Sequence, residues 1–449
     1  MTYFYCFFYN SEYHIRRLFL FKRFNYIFYK SVDLYNYLLK NHHRRTAIGA
    51  YHIGKMYGLD EQGINDLVIA AALHDIGALY ISERDDLIQM DVHNPAPHCR
   101  LGSYMLESFP PFEKISKIIY YHHWAFSEDS HWSAEKGKVP IEAYILHEAD
   151  RIEILIKNDI PVLQQRQGII DTIASLNGTL FHPDVVDAAE KVSIRDMFWL
   201  DIDHLEMENI LDLGISSKMQ IKMNMDLLEE FAFTISKIID SRSEFTISHS
   251  FGVSAVTFEL ARMIGYTEEK CRKMKVAGLL HDIGKIAVAT EIIEKNGALT
   301  EKERADVQAH AYFTGLILEK MAGLEEIASW AACHHENHDG SGYPKSLSGN
   351  AITEEMDIIS YADIFTALLE NRPYRKSLPS EQILMIMEKE FEGKYGNHVF
   401  ELLKKTYAEL RKVCQNALLE GEKRYRKYEK MASVSYGVTN IDKKSGEGI

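Results

Sequence analysis

The feature that most constrains this chain is a pattern of histidines and aspartates that occurs twice along its 449 residues. In the second half, His249 precedes a His-Asp pair at 281–282 by 32 positions. In the first half, His42 precedes a His-Asp pair at 74–75 by the same 32 positions. Both pairs are preceded by leucine and followed by Ile-Gly. Self-similarity over such a long period predicts two copies of one domain.

The pattern extends beyond the two His-Asp pairs. In each half a single histidine, a His-His pair and an aspartate follow at similar spacing, and ten of the chain's twenty histidines belong to the pattern. The second-half set is His249, His281, Asp282, His310, His334, His335 and Asp363. The first-half set is His42, His74, Asp75, His98, His122, His123 and Asp150. Burying so many imidazoles and carboxylates is costly without a cation, which predicts a metal site in the second half and a candidate second metal site in the first.

The regions between these motifs have the periodicity of helices. Apolar residues recur at helical spacing over 227–239 and over 253–264, and the second run ends at Gly265, a residue typical of the helix C-cap. Only ten prolines occur, and the alternation typical of strands is scarce. The sequence therefore predicts an all-α protein with two tandem helical domains.

Four segments are predicted along the chain. An aromatic and basic extension covers 1–30, the first copy 31–215, the second copy 216–420, and a charged helix end with a tail that we expect to be disordered 421–449. Three interpretations of the extension are open: a surface-seeking helix, a helix packed on the first domain, or a segment with no folded role. No segment has the apolar length that a membrane span requires.

The second-half set contains more ligands than one ion needs. Asp282 is suited to bridge two ions about 3.5–4 Å apart, with the histidines and Asp363 divided between them. Such a pair activates a bridging water and neutralises charge on a phosphoryl group during in-line displacement. Phosphodiester hydrolysis by a metal-bridging hydroxide is therefore the reaction class that these residues favour.

Four motifs of the second copy carry a resemblance to a known family. They are His-Asp-Ile-Gly-Lys at 281–285, His-His-Glu-x-x-Asp-Gly-x-Gly-Tyr-Pro at 334–344, Ala-Asp-Ile-Phe-Thr-Ala-Leu at 362–368 and Arg-Pro-Tyr-Arg-Lys at 372–376. With them, the second copy resembles the HD-GYP family of bacterial signalling. The resemblance implies a metal-dependent phosphodiesterase that hydrolyses cyclic di-GMP to pGpG and, in some members, on to GMP.

The resemblance also implies roles for individual residues. It makes the seven second-half positions ligands of two divalent cations, iron or manganese, and it makes Asp282 and Lys285 catalytic. Lys285 would contact the scissile phosphate, and Tyr343 would contact a guanine base. Arg372 and Arg375 would contact the phosphates or the bases. Donation from lysine and arginine to an anion is charge-assisted, which is consistent with these roles.

Some alternatives stay open at these positions. Arg372 and Arg375 could belong to a solvated charge run, and Tyr343 could simply cover the core. His338, inside the loop, is a further candidate to protonate the leaving oxygen. Family members with a third metal carry glutamate four residues before the first histidine. This chain has Phe245 there, which predicts two metals rather than three.

The first copy resembles the wider HD superfamily more loosely. It keeps all seven ligand-type positions, but Ala78 stands where the second copy has Lys285, and no Gly-Tyr-Pro loop follows His123. Two interpretations are open. The first copy could be a metal-binding domain with altered or lost catalysis that regulates or dimerises, or it could be a second phosphohydrolase of different specificity.

Composition indicates which binding partners and which cellular location to expect. The formal net charge of -14 disfavours binding to a nucleic acid polymer, although local basic side chains can still bind an anionic small ligand. Five cysteines without a Cys-x-x-Cys pair are typical of a reduced, cytoplasmic protein. We expect a cyclic dinucleotide substrate, no transmembrane segment, and either a homodimer or contacts with signalling proteins.

Two other functions compete with hydrolysis of cyclic di-GMP. The chain could be a signalling module that binds a nucleotide without turnover. It could also hydrolyse another cyclic dinucleotide, such as cyclic GMP-AMP. The ligand spacing does not report which base is bound, so product analysis over a substrate panel is needed to separate these functions.

Overall fold

The chain forms helices joined by turns and loops. A computed structural model describes residues 41–78, 96–127, 137–205, 223–240, 248–319, 321, 323–370, 378–391 and 397–433. The only β-type pairings among these residues are two isolated bridges, so the predicted all-α class is confirmed. The extension at 1–30, the tail after 433, Arg372 and Arg375 lie outside the described residues.

The first half contributes eight described α-helices. They are α1 (His42–Tyr57), α2 (Glu61–Leu73), α3 (Ala96–Glu107), α4 (Glu113–Tyr120), α5 (Ile141–Ile154), α6 (Val162–Ser175), α7 (Pro183–Ser193) and α8 (Asp196–His204). Short 3-10 turns span His74–Gly77 and Pro110–Phe112.

The second half contributes ten described α-helices. They are α9 (Met225–Asp240), α10 (His249–Ile264), α11 (Glu268–Leu280), α12 (Thr290–Ile293), α13 (Glu301–Leu318), α14 (Glu325–Ala332), α15 (Glu354–Leu369), α16 (Ser380–Phe391), α17 (Asn397–Lys405) and α18 (Tyr407–Ser433). The 3-10 turns here span Ile283–Ala287 and Gly349–Ala351. Within the described ranges, none of these helices combines the length and apolarity needed to cross a bilayer.

The sequence repeat corresponds to a repeat of helices. Helices α1 and α10 each have 16 residues and begin at the first histidine of their set. Helices α2 and α11 each have 13 residues and end directly before the His-Asp pair. The single histidines lie on α3 and α13, the His-His pairs follow α4 and α14, and the last aspartates lie on α5 and α15. Each set is therefore carried by five corresponding helices.

Local sequence determines where the paired helices begin and end. Gly58 and Gly265 follow α1 and α10 in the left-handed conformation, with φ of 96° and 98°, which only glycine adopts at little cost. Asp60 and Thr267 precede α2 and α11, and their side chains accept hydrogen bonds from the backbone N–H three residues later at 2.7 and 3.3 Å. The same kinds of end signal thus position both His-Asp pairs.

The glycine of each His-Asp-Ile-Gly motif lets a turn lie directly against the next helix of the set. A Cβ atom on Gly284 would lie 1.9 Å from the backbone oxygen of His310, and one on Gly77 would lie 2.0 Å from that of His98. No side chain fits at this distance, so only glycine allows the contact. The contact holds the His-Asp pair beside the helix that carries the single histidine.

The two halves contact each other through α3, α9 and α18. The rings of Phe109 and Phe231 have centroids 5.6 Å apart. Ser108 Oγ lies 3.0 Å from Thr234 Oγ1 and accepts a hydrogen bond from Lys237 Nζ at 2.8 Å. Helix α18 packs against both α3 and α10. The end of the first-half histidine helix α3 is therefore packed against the second half.

Candidate metal centre

The seven second-half residues predicted as ligands come together in one place. Their ligand atoms form three overlapping groups, and within each group all atoms lie within 4.8 Å of one another. The groups are His249, His281 and Asp363; His281, Asp282 and His334; and His310, His334 and His335. Because His281 and His334 each belong to two groups, the three groups form one continuous cluster, which we call the C-terminal set.

Asp282 occupies the middle of the C-terminal set. Its Oδ2 lies 3.1 Å from Nε2 of His281, and its Oδ1 lies 3.4 Å from Nε2 of His310. On the far side, Nε2 of His249 lies 3.1 Å from Oδ1 of Asp363. When metal is bound, Asp282 would therefore offer one carboxylate oxygen on the side of His281 and the other on the side of His310.

Three histidines of the C-terminal set are oriented by the helices that carry them. The Nδ1 atoms of His281, His310 and His334 donate to the backbone carbonyl three residues earlier at 2.8, 2.6 and 2.6 Å. This bond fixes the ring so that Nε2 carries the lone pair and faces the cluster. Each of these residues follows a helical turn that supplies the carbonyl.

The first histidine of each set has no such turn before it, because it begins its helix. A glutamate takes the place of the carbonyl. Nδ1 of His249 lies 3.0 Å from Oε2 of Glu370, and Nδ1 of His42 lies 2.5 Å from Oε2 of Glu153. Sequence reasoning missed both glutamates, although each follows the last aspartate of its set, by seven and three positions. Carboxylates behind ligand histidines orient the ring and raise its basicity.

Replacing Glu370 with glutamine is expected to weaken metal binding by the C-terminal set by about 10- to 100-fold, since the carboxylate behind His249 is lost while its size is kept. Competition between the full chain and a chelator of known affinity measures the change. Glu388→Gln, at a side chain that is 68% exposed, is the matched control and should leave the affinity unchanged. Equal affinities for both variants would contradict the role of Glu370.

Burial and mutual repulsion keep two histidines of the C-terminal set neutral. Burial, then the rings of His335 and His281, lowers the pKa of His334 well below its ordinary value. Burial and the ring of His310 lower the pKa of His335 to about 3. Neutral imidazoles offer lone pairs to a cation, so His334 and His335 can bind one without first losing a proton.

The carboxylates of the set behave in the opposite way. Burial by itself would raise the pKa of Asp282, but His281 and Lys285 hold it well below the ordinary value. Burial likewise opposes ionisation of Asp363, but the ring of His249 keeps its pKa well below the ordinary value. The set thus presents the neutral imidazoles of His334 and His335 beside ionised carboxylates, donors that first-row divalent cations bind. Burial alone would lower the pKa of His249, but Glu370 and Asp363 raise it to about 10.

The Gly-Tyr-Pro loop lies directly against this cluster. The ring of Tyr343 lies 4.8 Å from that of His335 at an angle of 35°. A Cβ on Gly342 would lie 2.4 Å from the backbone nitrogen of Asn337, so the loop can close only with glycine there. Buried Glu336 accepts from the backbone N–H groups of residues 345 and 347 at 2.6 and 2.7 Å and ties the loop down. Sequence reasoning gave Glu336 no role.

Two further predicted residues lie at the edge of the C-terminal set. The Lys285 side chain is 25% exposed, and its Nζ donates to Oδ2 of Asp282 at 2.6 Å. His338 Nε2 lies 3.1 Å from both carboxylate oxygens of Asp357. Lys285 therefore reaches from the cluster toward solvent. His338 is held by Asp357.

The first-half residues also converge, and we call them the N-terminal set. Their ligand atoms form two groups within 4.8 Å that share Asp75. The groups are Asp75, His98, His122 and His123; and His42, His74 and Asp75. The seventh residue, Asp150, has Oδ1 3.3 Å from Nε2 of His42. All seven predicted positions are thus adjacent in space.

Other side chains distinguish the N-terminal set from the C-terminal set. Buried Arg151 donates to Oδ2 of Asp150 at 2.5 Å, whereas Ile364 holds the equivalent position after Asp363. His43, which lies outside the repeated pattern, is 1% exposed and has its Nε2 3.8 Å from Oδ2 of Asp75. The N-terminal set is therefore accompanied by the buried guanidinium of Arg151 and by the additional imidazole of His43.

Both sets fit bound metal ions by the chemistry of their donors. Each places buried imidazole Nε2 atoms and carboxylate oxygens close together, with the outer ring nitrogens of most histidines already engaged. Burying these groups is costly unless cations compensate. The residues present are therefore suited to hold metal ions.

Comparison with known proteins agrees with this arrangement. Residues 39–155 and residues 234–399 match family models described as HD domains. The chain is 29% identical over 373 residues to the 3'3'-cGAMP-specific phosphodiesterase 1 of Vibrio cholerae serotype O1, a similarity that covers 81% of this chain and 86% of that protein.

Two further similar proteins match different shares of this chain. The chain is 29% identical over 215 residues to the cyclic di-GMP phosphodiesterase response regulator RpfG of Xanthomonas campestris pv. campestris, covering 46% of this chain and 57% of that protein. The solved structure of a cyclic GMP-AMP specific phosphodiesterase of V. cholerae, V-cGAP3, aligns with a TM-score of 0.56 over 90% of this chain and 97% of that chain. At 21% identity, this alignment supports the fold alone.

Proposed function

We propose that the second of the two tandem HD domains is a metal-dependent phosphodiesterase of HD-GYP type. Its proposed substrate is a cyclic dinucleotide. The observation that carries the proposal is the convergence of all seven residues of the C-terminal set beside Lys285 and the Gly-Tyr-Pro loop. The relatives named above hydrolyse cyclic dinucleotides, and one of them is similar over most of its length.

The proposed role of each residue follows from its position in the site. When bound, two divalent cations supply an activated water and neutralise charge on the phosphoryl group. The C-terminal set would hold them, and Asp282 lies between His281 and His310. Lys285 places an ammonium where the scissile phosphate would approach, and Tyr343 offers a ring to a guanine base. Arg372 and Arg375, outside the described residues, remain proposed contacts of the substrate.

The metal pair is proposed to be iron or manganese. Imidazole and carboxylate donors together suit both ions, and geometry and availability rather than affinity decide between them. Metal analysis of chain purified without chelator, with protein concentration measured in parallel, gives the identity and the number per chain. The expected result is that the wild-type chain holds two more ions than an Asp282→Ala variant does.

Cyclic di-GMP and 3'3'-cyclic GMP-AMP are the two candidate substrates. The motifs of the second half favour cyclic di-GMP. The similarity to a 3'3'-cGAMP-specific enzyme, which extends over both halves, favours 3'3'-cyclic GMP-AMP. Purified chain with Mn²⁺ or Fe²⁺ should be incubated with each compound, and the linear products separated by chromatography. The ratio of the two kcat/KM values assigns the substrate.

The alternative is a signalling module that binds a nucleotide without turnover. Calorimetry showing tight binding, together with no linear product over hours in the metal-loaded chain, would favour that alternative and overturn the enzyme proposal.

Removal of the Lys285 ammonium is expected to slow hydrolysis while the metal ions stay bound to the C-terminal set. Lys285→Met should lower kcat/KM by about 100-fold, because a charge that faces the developing negative charge is lost. Metal content should stay at the wild-type value. Lys191→Met, at a side chain that is 60% exposed in the first domain, is the control and should change neither quantity. A variant that loses its metals would show that Lys285 acts through Asp282 instead.

We propose that the N-terminal set also binds metal. Ala78 and the absence of a Gly-Tyr-Pro loop remove the substrate contacts of the second half, which favours a regulatory or dimerising role. A second phosphohydrolase of different specificity is the competing proposal. Assays of an Asp282 variant against linear dinucleotides and phosphate esters distinguish them.

The same proposal includes the setting in which the chain acts. We propose a cytoplasmic protein that acts on a soluble nucleotide, as a homodimer or with signalling proteins. Sedimentation of the metal-loaded chain tests the dimer.

A further inference from the structure

A cysteine lies among the ligands of the N-terminal set. Cys99 follows His98 on α3 and is fully buried. Its Sγ lies 3.6 Å from Nε2 of His98 and 4.0 Å from Nε2 of His122. These are the ring nitrogens that face the cluster, since Nδ1 of His122 is engaged with a backbone carbonyl at 2.7 Å. The sulfur therefore faces the same space as the imidazole lone pairs.

Five of the six distances among Cys99, His98, His122 and Asp75 are close to the edges of a tetrahedron. The Nε2 atoms of His98 and His122 lie 3.3 Å apart, and Oδ1 of Asp75 lies 3.7 and 3.8 Å from them. With bonds of about 2.0–2.3 Å, neighbouring ligands of a tetrahedral zinc ion lie about 3.3–3.7 Å apart. Five measured edges, those of Cys99 included, are within a few tenths of an ångström of this range.

The second half lacks the sulfur at the corresponding place. Ala311 follows His310 on α13, as Cys99 follows His98 on α3. Two other cysteines bond elsewhere: Cys271 donates to the backbone oxygen of Tyr266 and Cys414 donates to Thr366 Oγ1, both at 3.6 Å. The chain thus places a thiol beside the cluster in the first domain and a methyl group there in the second.

We propose that Cys99 is a metal ligand, so that the N-terminal set binds a zinc-class cation through His98, Cys99, His122 and Asp75. The inference rests on the proposal that the N-terminal set binds metal, and it adds the class of ion. A thiolate favours zinc over the harder ions that nitrogen and oxygen donors accept. The thiol loses its proton to solvent as the sulfur–metal bond forms, with no change in oxidation state.

Cobalt(II) tests this ligand directly. Full-length chain is stripped with a chelator and reloaded with Co²⁺, and the ultraviolet and visible spectra are recorded. The expected result is a thiolate-to-cobalt charge-transfer band in wild type. An Asp282→Ala variant, which empties the C-terminal set, should keep the band. Cys99→Ala should lose it, and Cys333→Ala, beside His334 in the other set, should keep it.

The cysteine variant should also bind Zn²⁺ at least about 100-fold more weakly at the N-terminal set, measured by chelator competition in the Asp282→Ala background. Alanine is the residue that the chain itself carries at the equivalent position, and circular dichroism melting verifies that the variant folds. Cys99→Asp should also lack the charge-transfer band, since a carboxylate ligand gives no thiolate-to-cobalt transition.

Three outcomes overturn the inference. The first is cobalt that binds the N-terminal set, as judged by its loss in Asp75→Ala, without a charge-transfer band. The second is a band that persists in Cys99→Ala. The third is the absence of any cobalt that depends on Asp75, which overturns the N-terminal metal proposal as well. The phosphodiesterase proposal is tested separately, by hydrolysis of cyclic dinucleotides in the metal-loaded wild-type chain and by its loss in Asp282→Ala.

Discussion

Replacing Asp282 with alanine is expected to lower kcat/KM for a cyclic dinucleotide by at least about 1000-fold, or about 4 kcal/mol of transition-state stabilisation. The two oxygens of Asp282 face His281 and His310 at 3.1 and 3.4 Å, so its loss separates the two histidine groups. Linear product measured by chromatography, with metal content measured on the same sample, gives both quantities. Metal content should fall together with activity.

Asp75 provides the matched control because it has the equivalent place in the N-terminal set. Asp75→Ala removes a buried carboxylate from the same structural context, yet it should leave hydrolysis by the second domain within about threefold of wild type. Turnover that survives Asp282→Ala would rule out the metal mechanism. Equal losses in both variants would mean that the domains act as one catalytic unit.

A methyl group at Gly284 is expected to destabilise the second domain by at least about 3 kcal/mol. The added Cβ would lie 1.9 Å from the backbone oxygen of His310, and backbone cannot move aside as a flexible side chain can. The turn at Ile283–Ala287 must then separate from α13, which also moves the His-Asp pair away from His310. Denaturant unfolding of Gly284→Ala measures the stability, and metal titration should show weaker binding.

Gly168→Ala is the control for this prediction. Gly168 lies inside α6, and a Cβ there would meet no atom within 4 Å apart from the backbone of its own helix. Alanine is preferred over glycine in a helix, so this variant should be as stable as wild type or more stable by about 0.5–1 kcal/mol. Wild-type stability and metal affinity in Gly284→Ala would show that the turn and α13 can separate without consequence.

The ligand positions could be predicted because each lies at a place that the sequence marks. His249 begins a helix, the His-Asp pair follows one, and Asp363 lies within one. Apolar periodicity and cap residues such as Gly265 locate those helices. The repeat then relates the two halves, so that a weak motif in the first half gains support from a stronger one in the second.

The residues behind the ligands could not be predicted in the same way. Glu370 lies 121 positions from His249, and Glu153 lies 111 positions from His42. The two glutamates also occupy different positions after their aspartates, so the repeat itself conceals their shared role. Glu336 and Asp357 were visible in the sequence, but their partners in and around the loop were not.

The sequence by itself determined the helical class, the duplication and the identity of the fourteen ligand-type side chains, because helix periodicity, cap residues and residue spacing are local properties of the chain. Only the tertiary structure decided that those side chains meet in two clusters, that glutamates stand behind the first histidines, and that Cys99 faces two imidazoles. These contacts join helices distant along the chain, and their geometry depends on close approaches such as that at Gly284, where the absence of one methyl group sets the distance between two backbones.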